Sequence, residues 1–118
     1  MGLTTTRQAF AAAIADPSYI VYRSPKESNT PPCVVLVPEN PYITFPTLHG
    51  SRMNFRMTLA VAMRDDEAAL GNLETLIETV GANMPAGAIV GDFSAPTVTQ
   101  VGAVDVLTTQ ATVEITTT

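Results

Sequence analysis

Hydrophobic and polar side chains alternate from Arg52 to Leu59, and the larger apolar residues keep the same period on to Met63. Successive side chains of a β-strand point to opposite faces. Met53, Phe55, Met57, Leu59, Val61 and Met63 therefore share one face, and Arg52, Asn54, Arg56, Thr58, Ala60 and Ala62 the other. A helix would scatter both sets around its axis, so the period of two predicts a single strand. At about 3.3 Å per residue it spans roughly 40 Å, long for a small domain. A slip of one residue would carry both arginines into the core, so the register is strongly specified. Residues 104–116 alternate in the same way, with Leu107, Thr109, Ala111, Val113 and Ile115 opposed to Thr108, Gln110, Thr112 and Glu114. The strand of residues 97–101 joins them through Gly102-Ala103, which suits a two-residue hairpin with glycine first.

Elsewhere the period lengthens. Leu70, Leu73, Ile77 and Val80 recur at helical spacing with Leu76 beside them, while Glu74 and Glu78 lie off the stripe. Asp65, Asp66 and Glu67 place negative charge at the partially positive start of that helix. Gly71 weakens it by about 1 kcal/mol relative to alanine, and Gly81 is a natural stop. Near the start of the chain, Thr5 and Gln8 fit a capping box for a helix over residues 7–15. Its small apolar face, Phe10 and Ile14 among alanines, must lie flat on something larger, and Pro17 ends it.

Between the helices the reading is one of short strands and loops. Residues 18–23 are aromatic and β-branched, a strand by composition. Residues 24–32 form a polar loop. Residues 33–37 are a continuous apolar run, short enough for a strand buried on both faces, and Pro38 stops it. Residues 39–50 read as irregular because of Pro41 and Pro46, yet carry Tyr42, Ile43, Phe45 and Leu48. Such an apolar loop either folds back on the core or meets a neighbour. Residues 82–96 read as a loop containing a Gly91-Asp92 turn. The order α, β, β, β, α, β, β predicts one α+β domain over residues 1–118. Its mixed or antiparallel sheet has about four to five strands with two helices packed on it.

Composition narrows the function. Only 14% of the 118 residues are charged and 46% are hydrophobic. That is little charge for a free monomer, so part of the surface is expected to be covered by other subunits. The net charge is −5 without any run of Lys or Arg, which argues against a nucleic-acid-binding surface. Cys33 is the single cysteine, read as a buried thiol. Residues 1–15 lack a basic start followed by an apolar segment, so no signal peptide is expected. No stretch reaches the roughly 18–20 apolar residues of a transmembrane helix, and a cytosol-like compartment is expected. Candidate chemistry is sparse. His49 stands alone in a turn, and neither a nucleophile elbow nor a phosphate-cradling glycine loop occurs. Asp65, Asp66 and Glu67 point about 100° apart on a helix, so helix-end electrostatics explain them better than a metal site does. The expectation is a protein that is not an enzyme, with no catalytic residues, cofactor or metal.

The order of features resembles a known family. An alanine-rich helix leads to Tyr19-Ile20-Val21-Tyr22, a polar loop and the run from Pro31 to Pro38. The long alternating strand leads into Asp65-Asp66-Glu67-Ala68-Ala69-Leu70, and the chain closes with Val101 to Ile115. Across nearly its whole length this resembles the tail terminator proteins of long-tailed, non-contractile (siphovirus-type) phages, particularly those infecting actinobacteria. The resemblance implies a subunit of a hexameric ring in the virion neck. That ring would cap the last turn of the tail tube, stop its polymerisation and join it to the head connector, after assembly in the host cytoplasm. The implied partners are other copies of the chain, the major tail tube protein and the head-closure protein, with DNA passing through unbound. Six subunits at −5 each would carry about −30, and a negative ring repels DNA that must slide through it.

Candidate interface residues are Tyr42, Ile43, Phe45, Leu48, Arg52 and Arg56. Two alternatives stay open. One is a head-closure or stopper protein, which also forms rings and would be separated by its co-purifying partners. The other is a small non-enzymatic ligand-binding α+β domain, which requires a preformed pocket with convergent polar groups.

Overall fold

A computed structural model describes residues 3–22, 31–47, 50–63, 66–101 and 104–117. In chain order the elements are α1 (Leu3–Ala13), β1 (Ile20–Tyr22), β2 (Cys33–Thr47), β3 (Gly50–Ala62), α2 (Asp66–Ala82), β4 (Ala88–Val90), β5 (Thr97–Val101) and β6 (Val104–Thr117). They form one six-stranded sheet in the order β1-β2-β3-β6-β4, with β5 also on β6. Only β1 runs parallel to its neighbour; the other pairings are antiparallel.

The long alternating strand is the middle of this sheet. β3 pairs with β6 through twelve consecutive residues, from Ser51↔Thr117 to Ala62↔Val106. The apolar face is the one expected: Met53, Phe55, Met57, Leu59 and Val61 are buried, as are Leu107, Thr109, Ala111, Val113 and Ile115 across from them. Both helices lie on that face, α1 bringing Phe10 and Ala11, with Ile14 just beyond its end, and α2 bringing Ala69, Leu73, Leu76 and Val80. The opposite face carries a small cluster of Cys33, Val35 and Ala60 and is otherwise largely polar.

The expectation of a four-to-five-stranded layer fold needs correction. Strands take up 52% of the described chain, and the sheet curls into a half-barrel, so this is a mostly β body with two helices. Two readings caused the underestimate. Residues 39–50 are not an irregular loop: β2 continues through Pro38, Pro41 and Pro46 to Thr47. Proline is tolerated where a strand is an edge, since its missing N–H need not serve a ladder. β1 covers β2 only along Cys33–Val35, and beyond that point β2 has no second strand neighbour among the described residues. Residues 82–96 likewise hold the short strand β4.

Irregularities on both flanks of the central pair account for the curl. On one side residues 39–42 stand opposite Asn54 alone, because the register passes from Pro38↔Phe55 to Ile43↔Met53. The Asn54 side-chain amide donates to the Pro41 carbonyl there at 3.0 Å. On the other side β4 and β5 are two parts of one interrupted edge, with residues 91–96 opposite residues 109–112. Extra residues of this kind bend a strand and increase its twist. The gap remains tied down, since the Ser94 amide donates to the Gln110 carbonyl at 2.8 Å. Buried Thr109 donates to the Ser94 carbonyl at 2.6 Å, which satisfies its hydroxyl on the core face.

Smaller corrections concern the helices. α1 starts at Leu3, so Thr5 is inside the helix and not its cap; threonine costs a helix only a few tenths of a kcal/mol. The first strand is shorter than residues 18–23. In α2, Leu70 is exposed, and Ala69, one position earlier, takes its place in the core. Asp65, Leu48, His49, most of the polar loop and the Gly102-Ala103 turn lie outside the described residues. The Val101↔Val104 pairing brackets that turn as a two-residue connection.

Candidate assembly surface

The six candidate interface residues do not form one patch. Tyr42 and Ile43 are half-buried against the core, and the Tyr42 ring meets Phe55 edge-on at 5.5 Å between centroids and 74° between planes. Ile43 pairs with Met53. Both therefore pack in part on the core of their own chain. Phe45 differs: it is 75% exposed, the most exposed of the large apolar side chains described. It sits near the tip of the β2–β3 hairpin, between Thr44↔Arg52 and Thr47↔Gly50. Leu48 lies outside the described residues.

Arg52 and Arg56 stand on the polar face of β3. Arg52 is exposed and pairs with Glu114 of β6 at 2.8 Å. Such a surface pair contributes at most about 1 kcal/mol. Arg56, between Val37 and Thr112 in the sheet, is half-buried, and its Nε has no hydrogen-bond partner among the described residues. A buried donor left without an acceptor costs about 1–3 kcal/mol.

At the other end of β3 lies a groove of about 480 Å³ that the sequence reading missed. Val61, Ala62, Ala69 and Leu76 supply apolar surface, and Ser18, Asn72, Thr75 and Thr79 supply polar groups. The signal was present: Ala68, Asn72, Thr75 and Thr79 recur at helical spacing and leave one flank of α2 with short side chains. The groove's hydroxyls are already committed. Thr75 donates to the Gly71 carbonyl at 3.0 Å and Thr79 to the Thr75 carbonyl at 2.9 Å. The Ser18 hydroxyl donates to Asp16 at 2.7 Å and the Tyr19 hydroxyl to the Ile14 carbonyl.

The ionisable groups near the groove reflect this local bonding. Hydrogen bonds from the Ser18 hydroxyl and amide hold the Asp16 carboxyl below its ordinary range. Burial pushes the Tyr19 phenol up. On the far face of the sheet, burial raises the Cys33 thiol to about 11, which leaves it protonated and unreactive at neutral pH.

Among the described residues, no group of three or more His, Cys, Asp or Glu side chains could hold a metal ion. No described helix is long and apolar enough to cross a membrane. Compared with known proteins, the chain matches no family model and no curated protein.

Proposed function

We propose that this chain is a structural subunit of the neck of a long-tailed, non-contractile phage. It closes, with other copies, into a ring that caps the tail tube, ends tube growth and presents a surface to the head connector. The observation that carries the reading is the exposed Phe45 at the β2–β3 end of the sheet. β2 and β3 extend to a tip where Phe45 is 75% exposed, in a molecule 50 Å long and only 26 × 24 Å across. A single exposed apolar side chain is ordinary on a protein surface, but at this end of the sheet Phe45 stands where a neighbouring subunit would meet it. The feature order of the whole chain, which resembles the tail terminators, supports the assignment to the tail end. The unpartnered Arg56 Nε adds to it, because an acceptor from a neighbouring subunit would remove its desolvation cost.

Loss of the protein tests the proposal. A tail tube grows because each added ring leaves an open surface for the next, and growth ends when something binds that surface without offering a copy of it. Electron microscopy of particles lacking this chain should show tails of excessive, uncontrolled length beside unjoined DNA-filled heads. Normal-length finished tails beside heads that leak or fail to attach would instead assign the chain to head closure.

A further inference from the structure

We propose that β5 of one copy pairs antiparallel with β5 of a second copy, across a two-fold axis at Thr99, joining the two sheets edge to edge. The contact goes beyond the neck reading and does not depend on it.

An open edge strand is a template for another chain, and proteins usually blunt it with proline, charge or shortness. The other edges described here are blunted. β2 carries Pro38, Pro41 and Pro46 along its uncovered stretch, and β1 and β4 are three residues each. β5, Thr97-Val98-Thr99-Gln100-Val101, has neither proline nor charge, and no strand lies beyond it among the described residues. Thr97, Val98 and Thr99 are all exposed.

The direction of its free backbone groups follows from β6. The Gly91 and Ser94 amides donate to the Thr112 and Gln110 carbonyls, whereas the Met63 amide donates to the Asp105 carbonyl. Even-numbered residues of β6 thus turn their backbone groups toward β5, and odd-numbered ones toward β3. Thr97, Thr99 and Val101 pair with Thr108, Val106 and Val104, so their backbone groups point at β6. Those of Val98 and Gln100 point outward.

This set of groups is complementary to itself. With the axis at Thr99, Val98 of each copy stands opposite Gln100 of the other, and each such pair exchanges two hydrogen bonds. All four outward N–H and C=O groups of each strand then find partners. Val98 is 55% exposed although it continues the row of Val61 and Leu107, both buried. An added strand extends that row. Charge does not oppose the approach, since no charged residue lies between Asp92 and Asp105. The two Asp105 residues would stand three strand spacings apart, roughly 14 Å, beyond the screening length of about 8 Å in physiological salt. The contact is isologous and closes at two copies.

Sedimentation and cross-linking test this. The interface is small, so the parent should dimerise at roughly 0.1–1 mM. Proline is tolerated in an edge strand where its missing N–H would face outward, so Val98→Pro should fold and weaken dimerisation at least about tenfold, the scale of two lost main-chain hydrogen bonds. Val98→Lys, which blunts the same edge with charge, should act in the same direction. Thr99→Cys should cross-link rapidly to its own copy on mild oxidation, because opposed residues of a non-hydrogen-bonded pair lie about 4.5 Å apart between Cα atoms, within disulfide span. Thr97→Cys should not, because four residues of offset hold it roughly 13 Å from its equivalent. A parent that stays monomeric at 1 mM would overturn the proposal and leave the edge to a strand of another protein. So would Val98→Pro and Val98→Lys dimerising like the parent, or Thr97→Cys cross-linking as fast as Thr99→Cys.

Discussion

Gly91 and Thr112 approach so closely that a β-carbon built on Gly91 would lie 2.6 Å from the Thr112 hydroxyl oxygen. The Gly91 amide donates to the Thr112 carbonyl at 2.8 Å, so this contact fastens the gap between β4 and β5 to β6. Both residues are exposed, so Gly91→Ala should destabilise the fold by about 1 kcal/mol, the cost of turning the Thr112 side chain out of its present rotamer. In a Thr112→Ala background the same change should cost much less. Denaturant midpoints of the four proteins measure the coupling, and additive effects would show that the close approach is not the cause.

The two faces of β3 should respond very differently to truncation. Leu59 is fully buried, and Leu59→Ala should cost about 2–5 kcal/mol. Leu59→Asp should abolish soluble expression, because the carboxylate would be buried without a partner. Arg56→Ala, on the opposite face, should fold normally and weaken assembly. Equal solubility of Leu59→Asp and the parent would contradict the assignment of faces.

Tyr42 and Phe45 sit three positions apart on the same strand and should behave oppositely. Tyr42→Ala removes the edge-on contact with Phe55 and should lower unfolding stability by about 1–3 kcal/mol. Phe45→Ala should leave the stability of the monomer within about 0.5 kcal/mol while weakening self-association. Thermal unfolding at low protein concentration separates the two effects. A large loss for Phe45→Ala there would mean that its ring packs within its own chain.

Cys33 provides a chemical readout of folding. It is buried, and its thiol is raised from 9.0 to about 11. Native protein should resist thiol reagents at pH 8 and react promptly once unfolded. A group whose folded pKa is raised contributes stability that is present below its unfolded pKa and lost as pH rises through the folded value. The contribution from Cys33 therefore fades between about pH 9 and 11, and Tyr19, shifted in the same direction, adds to the loss at the alkaline end. Urea titrations across that window should show falling stability, with a shallower fall in Cys33→Ala. Rapid modification of the native thiol at pH 8 would refute the burial.

The sequence alone determined the centre of this protein. A strict period of two leaves β3 and β6 one way to bury Met53, Phe55, Met57, Leu59 and Val61 against Leu107, Val113 and Ile115. The helical stripe of Leu73, Leu76 and Val80 was equally legible, because burying one flank of a helix imposes its own spacing. What the sequence could not settle was anything that depends on a neighbour distant along the chain. Pro38, Pro41 and Pro46 read as breakers until β2 proved to be an edge over that stretch, where no ladder needs their N–H groups. β4 was invisible as three residues among turn formers, and its partners lie on β6, about 25 residues later. The candidate surface divided for the same reason. Tyr42 and Phe45 have similar local context, and only the reach of the helices and of Phe55 beneath them decides that one ring is covered and the other exposed. The groove combines residues from the turn before β1, the end of β3 and one flank of α2, a juxtaposition that exists only once the helix has crossed the sheet.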